Sequence, residues 1–346
     1  AVVKADGYGH GAVPVARAAL GAGCEGLCVA LTSEGVTLRH AGVEAPILLL
    51  SEQPPDDAEL IADNRLTPTV STAEGIDALA AQQVRDLDVH LKIDTGMHRV
   101  GAAPADAGPL VERVDSHRPW LRLAGVYTHL AVADEPADPY TDEQLDRFDA
   151  ALGAIPPVPV THAANSAAAV AHERARRSFV RAGIAVYGIS PGHGVDHLCG
   201  DLRPAMALKA RVSFVKRVAA GARISYGLRH TFAAETSVAT LPIGYADGVR
   251  RGLSDGGSVL IGGRRRPIVG VVTMDQLMVD CGDDPVRAGD EAVLIGAQGD
   301  ERITAEEWGD ALGTIGYEVV CGIGARVPRR YPGRTDVTSG PECPPS

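Results

Sequence analysis

Lysine is scarce in this chain: four residues (Lys4, Lys92, Lys209 and Lys216) among 346, against 29 arginines. Chemistry that needs a free amine therefore has few candidates, because a guanidinium keeps its proton. The six cysteines (Cys24, Cys28, Cys199, Cys281, Cys321 and Cys343) are scattered, and none forms a CxxC pair. That argues against a zinc site or a disulfide framework and for reduced thiols in a reducing compartment, the cytoplasm. No apolar run approaches the roughly 20 residues of a membrane span. The net charge of −11 argues against nucleic acid or an anionic membrane as a partner. The glycine-rich stretch Gly7-Tyr8-Gly9-His10-Gly11 lacks GxGxxG spacing, which weakens a dinucleotide-binding reading. The sequence opens at Ala1 inside an apparent strand, so a preceding segment is expected.

The first half alternates short β-branched runs with alanine-rich stretches of helical character. Strands are expected at residues 1–4, 26–31, 47–50, 66–70, 89–94, 123–129, 160–164 and 179–187. Helices are expected between most of them, at 13–21, 33–41, 73–81 and 141–152. Such alternation implies a parallel sheet, and eight repeats fit a closed (β/α)8 barrel, of the TIM type, over residues 1–197. An open doubly wound sheet is the alternative. From residue 198 the texture turns to proline, glycine and alternating strands, at 207–218, 237–243, 258–261, 267–272, 276–280 and 291–295, with a helix at 304–312. Residues 198–331 thus read as a mostly β second domain, and 332–346 as a polar, disordered tail.

Barrel active sites lie at the C-terminal ends of the strands. Unusual polar residues fall there: Lys4 after strand one, Lys92 and Asp94 sharing a face of strand five, and Arg99 in the loop beyond. Tyr127 and His129 share a face of strand six, His162, Asn165 and Ser166 close strand seven, and Arg181 and Gly183 share a face of strand eight. A barrel interior is normally Val, Ile and Leu, so this set at one rim is costly unless paired, and it suggests an anionic ligand. Singly, each has a plain structural explanation; their arrival at consecutive strand ends carries the inference. In the second half, the runs 224–227, 244–248 and 273–276 stand out but yield no chemistry by themselves.

The motifs VVKADGYGHG, LKIDTGMHRVG, GVYTHLAVADE, THAANSAA, VRAGIAVYG, ISYG, LPIGYADG, VTMDQ and RVPRRY occur in that order over nearly the whole chain. Together they resemble the alanine racemases, pyridoxal-phosphate enzymes of fold type III. The resemblance implies a barrel followed by a β domain and a homodimer with shared active sites. It implies pyridoxal 5'-phosphate bound through Lys4, with Tyr8, Ser166, Gly183 and Ile184 at the phosphate and Arg181 at the pyridine nitrogen. Lys4 would serve the D-alanine face and Tyr226 of the other subunit the L face, with His129 linking that tyrosine to Arg181. Arg99 and the Met274 backbone would receive the substrate carboxylate, and Tyr245 and Asp275 would line the entrance. Lys92 resembles a lysine carbamylated in many members; an ammonium paired with Asp94 is the alternative. Ala325 stands where the family has tyrosine, so a phosphate or gate contact differs. The implied activity is interconversion of L- and D-alanine for peptidoglycan. Two alternatives are a racemase of wider range, such as serine, and a non-catalytic cofactor carrier.

Overall fold

The computed structural model describes residues 1–332. The expected disordered tail therefore lies, apart from Pro332, outside the described residues.

The N-terminal half is a ring of parallel backbone. β1 (Leu27–Val29) pairs with β2 (Ile47–Leu49). β3 (Thr69–Val70), β4 (Leu87–Lys92), β5 (Leu121–Tyr127) and β6 (Val160–His162) form a second parallel run. Bridges join these runs at Leu48 and Thr67, and set residues 1–3 beside β1 at Val2 and Cys28. Residues 179–183 close the circle: Arg181 N–H donates to Ala164 O at 3.0 Å, and Val2 N–H to Ala182 O at 2.8 Å. The eighth expected strand is thus cut short. The backbone breaks at Gly183 (φ −105°, ψ −105°), and Ile184–Tyr187 forms a 3-10 turn instead.

Helices Ala12–Gly21, Thr32–His40, Ala73–Ala80, Ala107–Ser116 and Tyr140–Gly153 alternate with the strands. Strand side chains point alternately in and out. Val3, Val29, Leu49, Val70, Leu91 and Val126 pack outward in one apolar cluster with Leu38, Ile76 and Phe148 from the helices. The intervening residues face inward and divide the interior. Val2, Cys28 and Leu48 join an apolar cluster shared with the C-terminal half. Thr69, His90, Lys92, Tyr127, His162 and Arg181 are buried opposite them.

The C-terminal half is antiparallel. Its strands are β7 (Leu208–Arg211), β8 (Phe214–Val218), β9 (Arg223–Ile224), β10 (His230–Thr231), β11 (Thr236–Leu241), β12 (Ser258–Ile261), β13 (Arg264–Val269), β14 (Leu277–Gly282), β15 (Glu291–Gln298) and β16 (Glu301–Ile303). The main sheet runs β16-β15-β12-β13-β14-β11-β8, with β7 also on β15. The single strand expected at 207–218 is two, because Val212 N–H turns to Asp290 O and Ser213 N–H to Thr240 O. One chain segment thereby joins the two ends of the sheet, which curls upon itself. β13 begins three residues before its expected start. Arg264, Arg265 and Arg266 pair with Ile261, Leu260 and Val259 of β12, and their side chains pair across the surface, Arg265 with Glu307 and Arg266 with Asp284. Thr304 caps helix Ala305–Leu312, its Oγ1 accepting Glu307 N–H at 3.1 Å; the following helix, Gly316–Cys321, was not expected.

The two halves meet at the first glycine turn. Gly9 (φ 75°) lies so close to the second half that a Cβ would run into Val320 O. Arg329 donates to Gly9 O at 3.0 Å and the Tyr331 hydroxyl to His10 O at 2.7 Å. The last motif of the chain thus holds the first in place.

Candidate active site

The polar interior is a connected network. Arg181, 3% exposed, donates through Nη1 to His162 Nδ1 at 2.7 Å and through Nη2 to the carbonyls of Thr128 (2.8 Å) and Ala163 (2.9 Å). The same nitrogen lies 3.2 Å from His129 Nδ1. His162 Nε2 lies 2.9 Å from His90 Nδ1. A guanidinium can only donate, so it sets the polarity of the string. His162 accepts at Nδ1, holds its proton on Nε2 and donates to His90. His129 Nδ1 faces the same donor-only nitrogen and shares one of its two protons with a carbonyl, which leaves the imidazole proton on Nε2.

These imidazoles are neutral. Burial first, and Arg181 second, hold His129 and His162 well below the usual histidine range. Burial likewise brings His90 down to about 4. His162 is stacked between Tyr127 (4.5 Å) and Phe179 (4.3 Å). The Tyr127 hydroxyl meets Thr69 Oγ1 at 2.7 Å and Leu50 O at 2.9 Å, and burial pushes its pKa up. Paired in this way, the polar core avoids the cost of orphaned groups.

Lys92, 5% exposed, donates to Leu50 O at 3.1 Å and lies over the Tyr127 ring. It is not paired with Asp94, as the ammonium alternative required. The strand ends at Lys92, and Asp94 instead accepts the N–H groups of Gly96 (2.9 Å) and His98 (3.1 Å) in its own loop. Burial, then Arg181 and Arg99, bring Lys92 down to about 8. The Lys4 charge is the weakest of those that lower Lys92 and His129, so it lies within electrostatic reach of both. Arg99 is exposed, and among the described residues no salt bridge engages it.

A hydroxyl cradle surrounds Gly183. Ser166 Oγ accepts Gly183 N–H at 2.8 Å, and a Cβ on Gly183 would stand 2.7 Å from the Tyr8 hydroxyl. Only glycine leaves that space open. Tyr8 is buried against Tyr187 at 4.9 Å, and burial pushes it up to about 12, so it remains a phenol and a donor. A recess of about 400 Å³ between the first glycine turn and the last motif is lined by His10, Met206, Arg329 and Tyr331 and holds none of the expected site residues.

The expected residues of the C-terminal half are arranged otherwise. Tyr226 is 72% exposed, Met274 52% and Tyr245 43%. Among the described residues, no hydrogen bond or ion pair links them to the barrel network. Tyr226 stands on a bent edge, between Ser225 (φ 64°) and Gly227 (φ 75°). Asp275 is paired with Arg326 at 2.8 Å.

Sequence reasoning overlooked His90 and Thr69. The signal was available for His90, since Asp88, His90 and Lys92 alternate along β4 and must share a face. Glu34 was also overlooked; its carboxylate accepts the N–H groups of Ala5, Ala30 and Leu31, and nothing in the periodicity marks it.

Comparison with known proteins bears on the same residues. Residues 1–191 match the model of the alanine racemase N-terminal domain, and residues 205–331 that of the C-terminal domain. An alanine racemase of Symbiobacterium thermophilum is 51% identical, over 97% of this chain and 90% of the relative. One of Thermobifida fusca is 45% identical, over 96% and 91%. The crystal structure of alanine racemase from E. faecalis superposes with a TM-score of 0.90 at 40% identity, covering 95% of this chain and 90% of that one.

Proposed function

The chain belongs to the alanine racemase family, and from that premise we propose that it interconverts L- and D-alanine with pyridoxal 5'-phosphate held through Lys4. The observation that carries the cofactor assignment is the fit of its residues. A lysine amine, a buried arginine and a cradle of two hydroxyls around a bare glycine match an aldehyde, a ring nitrogen and a phosphate. Lys4 would hold the aldehyde carbon, Arg181 the ring nitrogen, and Tyr8, Ser166 and the backbone of Gly183 and Ile184 the phosphate. When bound, the cofactor supplies an electron sink that acidifies the substrate Cα–H.

The remaining work falls to side chains. Arg181 spends its other donors on two carbonyls and His162, so its proton stays on the guanidinium and is not delivered to the ring. A carboxylic acid there would deliver it. This choice restrains charge spreading into the ring and favours return of a proton to Cα over side reactions. The Lys4 amine would take or return the Cα proton on one face. A tyrosine near neutral pH is a poor base unless a donor stabilises its phenolate. The Nε2 proton of His129, fixed by Arg181, is such a donor. We assign the second base to Tyr226 of a partner subunit, since within one chain that residue is exposed and unconnected to the barrel.

Arg99 would receive the substrate carboxylate together with the Met274 N–H of the partner, and Tyr245 and Asp275 would stand at the entrance. The lowered Lys92 has an amine fraction near neutral pH able to take up carbon dioxide, and the resulting carbamate would neutralise the cation-rich pocket and orient Arg99. The product suits supply of D-alanine for peptidoglycan in the cytoplasm; no described helix is long and apolar enough to cross a membrane.

Racemisation of each alanine enantiomer, measured with added pyridoxal phosphate alongside the absorption spectrum, tests the proposal. Interconversion in both directions with a lysine-bound cofactor band is expected. A band without turnover would overturn the activity, and turnover without dependence on pyridoxal phosphate would overturn the cofactor.

A further inference from the structure

The backbone after Lys4 takes a course that L-amino acids avoid. Ala5 (φ 51°), Asp6 (51°), Gly7 (62°), Tyr8 (51°) and Gly9 (75°) are consecutively left-handed. They form a hydrogen-bonded left-handed turn, with Gly7 N–H on Val3 O at 2.9 Å and Gly9 N–H on Ala5 O at 3.0 Å. Three of the five residues carry a Cβ, which crowds the following carbonyl in this conformation. Such a turn persists only when its surroundings over-determine it.

Two carboxylates hold it. At its far end Asp6 Oδ1 accepts Ala12 N–H at 2.8 Å. At its near end Glu34 Oε1 accepts the N–H of Ala5, the residue directly after Lys4, at 2.6 Å. The other Glu34 oxygen accepts Ala30 N–H at 2.8 Å and Leu31 N–H at 3.1 Å, just past β1. Glu34 lies in the first turn of helix Thr32–His40, where a negative charge is favoured. One side chain therefore ties the lysine turn to the end of the neighbouring strand through three backbone donors. The side-chain network around Arg181 does not include it.

We propose that Glu34 is a positioning residue: its carboxylate clamps the left-handed turn and so fixes the direction in which Lys4 presents its amine. This rests on the reading of Lys4 as the cofactor lysine. The clamp needs both oxygens as acceptors. In Glu34→Gln one acceptor becomes an NH2 group facing N–H donors, at almost unchanged volume. In Glu34→Asp the charge remains but the reach is a methylene shorter. A purely electrostatic role would survive in the aspartate variant, whereas a clamp would fail in both.

The test uses the full chain without cofactor. Hydrogen exchange is followed in the peptides containing Ala5, Ala30 and Leu31, with those of β4 and β5 as the folding control. The rate at which pyridoxal phosphate is captured on lysine is followed by borohydride trapping, with the modified lysine located by mass spectrometry. In both variants the three amides are expected to exchange about tenfold faster or more, and capture on Lys4 to slow by about tenfold, for the loss of roughly one charge-assisted bond. The control strands are expected to be unchanged. Capture on Lys4 at the wild-type rate despite a loosened turn would overturn the inference while leaving Lys4 assigned. Full rescue by aspartate would overturn it too. Adducts on Lys92, Lys209 or Lys216 would instead remove the Lys4 reading, with the exchange data still judging the clamp. Wild-type protein gives an independent check: an Ala5 amide exchanging at the rate of a free loop would overturn the clamp whether or not the variants fold.

Discussion

The two halves of the molecule hold their functional residues in opposite ways. In the barrel, Arg181, His162 and His90 are buried in one hydrogen-bonded string, and Tyr127 and Lys92, buried against it, both bond Leu50 O, so each position is set by its neighbours. In the antiparallel half, Tyr226, Met274 and Tyr245 stand exposed on turns, without such partners among the described residues. A group that must hold a proton in a fixed direction needs the first arrangement. A group in the second arrangement has no such environment within its own chain among the described residues. The contrast supports a site divided between two copies, with the rigid half in one and the completing half in the other.

The largest expected effect follows from breaking the rigid half at its amine. Lys4→Ala is expected to abolish the lysine-bound cofactor band and to lower racemisation by about a thousandfold or more, as for loss of a covalent catalyst. Mixing it with Tyr226→Phe, after dissociation and reassociation, sharpens the comparison. A hybrid dimer would carry one doubly damaged site and one intact site. Recovery toward about a quarter of wild-type activity is then expected from the statistics of a symmetric pair. No recovery, in the presence of demonstrated hybrids, would mean that both residues act within one chain.

Acid probes the barrel network next. His90 titrates near 4 in the folded protein against 6.5 for a free histidine. Between those values the unfolded chain binds a proton that the folded chain refuses. The stability contributed by His90 therefore falls as pH drops from 6.5 to 4 and levels off below. His90 alone contributes a loss of about 3 kcal/mol across that window. His129 and His162, lowered in the same direction, add to it. Urea unfolding at fixed protein concentration should show this slope, and His90→Gln should make it shallower by about one proton. An unchanged slope would mean that His90 is charged in the fold.

Much of this was legible in the sequence, for physical reasons. Strand–helix alternation revealed the barrel because its period is imposed by burial on one side of each element. Strand ends were less legible. Lys92 and Asp94 were read as sharing a face, yet β4 stops at Lys92 because Asp94 turns to bind its own loop amides. The eighth strand was read through to 187, but Gly183 breaks it to open the hydroxyl cradle. The three arginines of β13 lay outside the expected strand, which began at 267; their ion-pair partners, Asp284 and Glu307, lie far along the chain. Glu34 was invisible for a related reason: its work is done on backbone amides, which carry no sequence signature.

The smallest expected effects separate the two halves by stability alone. Tyr127→Phe leaves Thr69 Oγ1 without one partner inside the barrel and removes a donor from Leu50 O. A buried loss of that kind is expected to destabilise by about 1–3 kcal/mol. Tyr226→Phe removes a hydroxyl from an exposed ring and should change stability by less than about 0.5 kcal/mol. Its effect belongs to catalysis, and unequally: proton abstraction from L-alanine should slow more than abstraction from D-alanine, read as solvent-deuterium incorporation from each enantiomer. Equal slowing from both sides would weaken the assignment of the L face to Tyr226. A stability loss as large as that of Tyr127→Phe would show that the phenol is already buried in solution. Were that loss to grow with protein concentration, the burying surface would be a second copy of the chain; were it independent of concentration, the contrast between the halves would disappear.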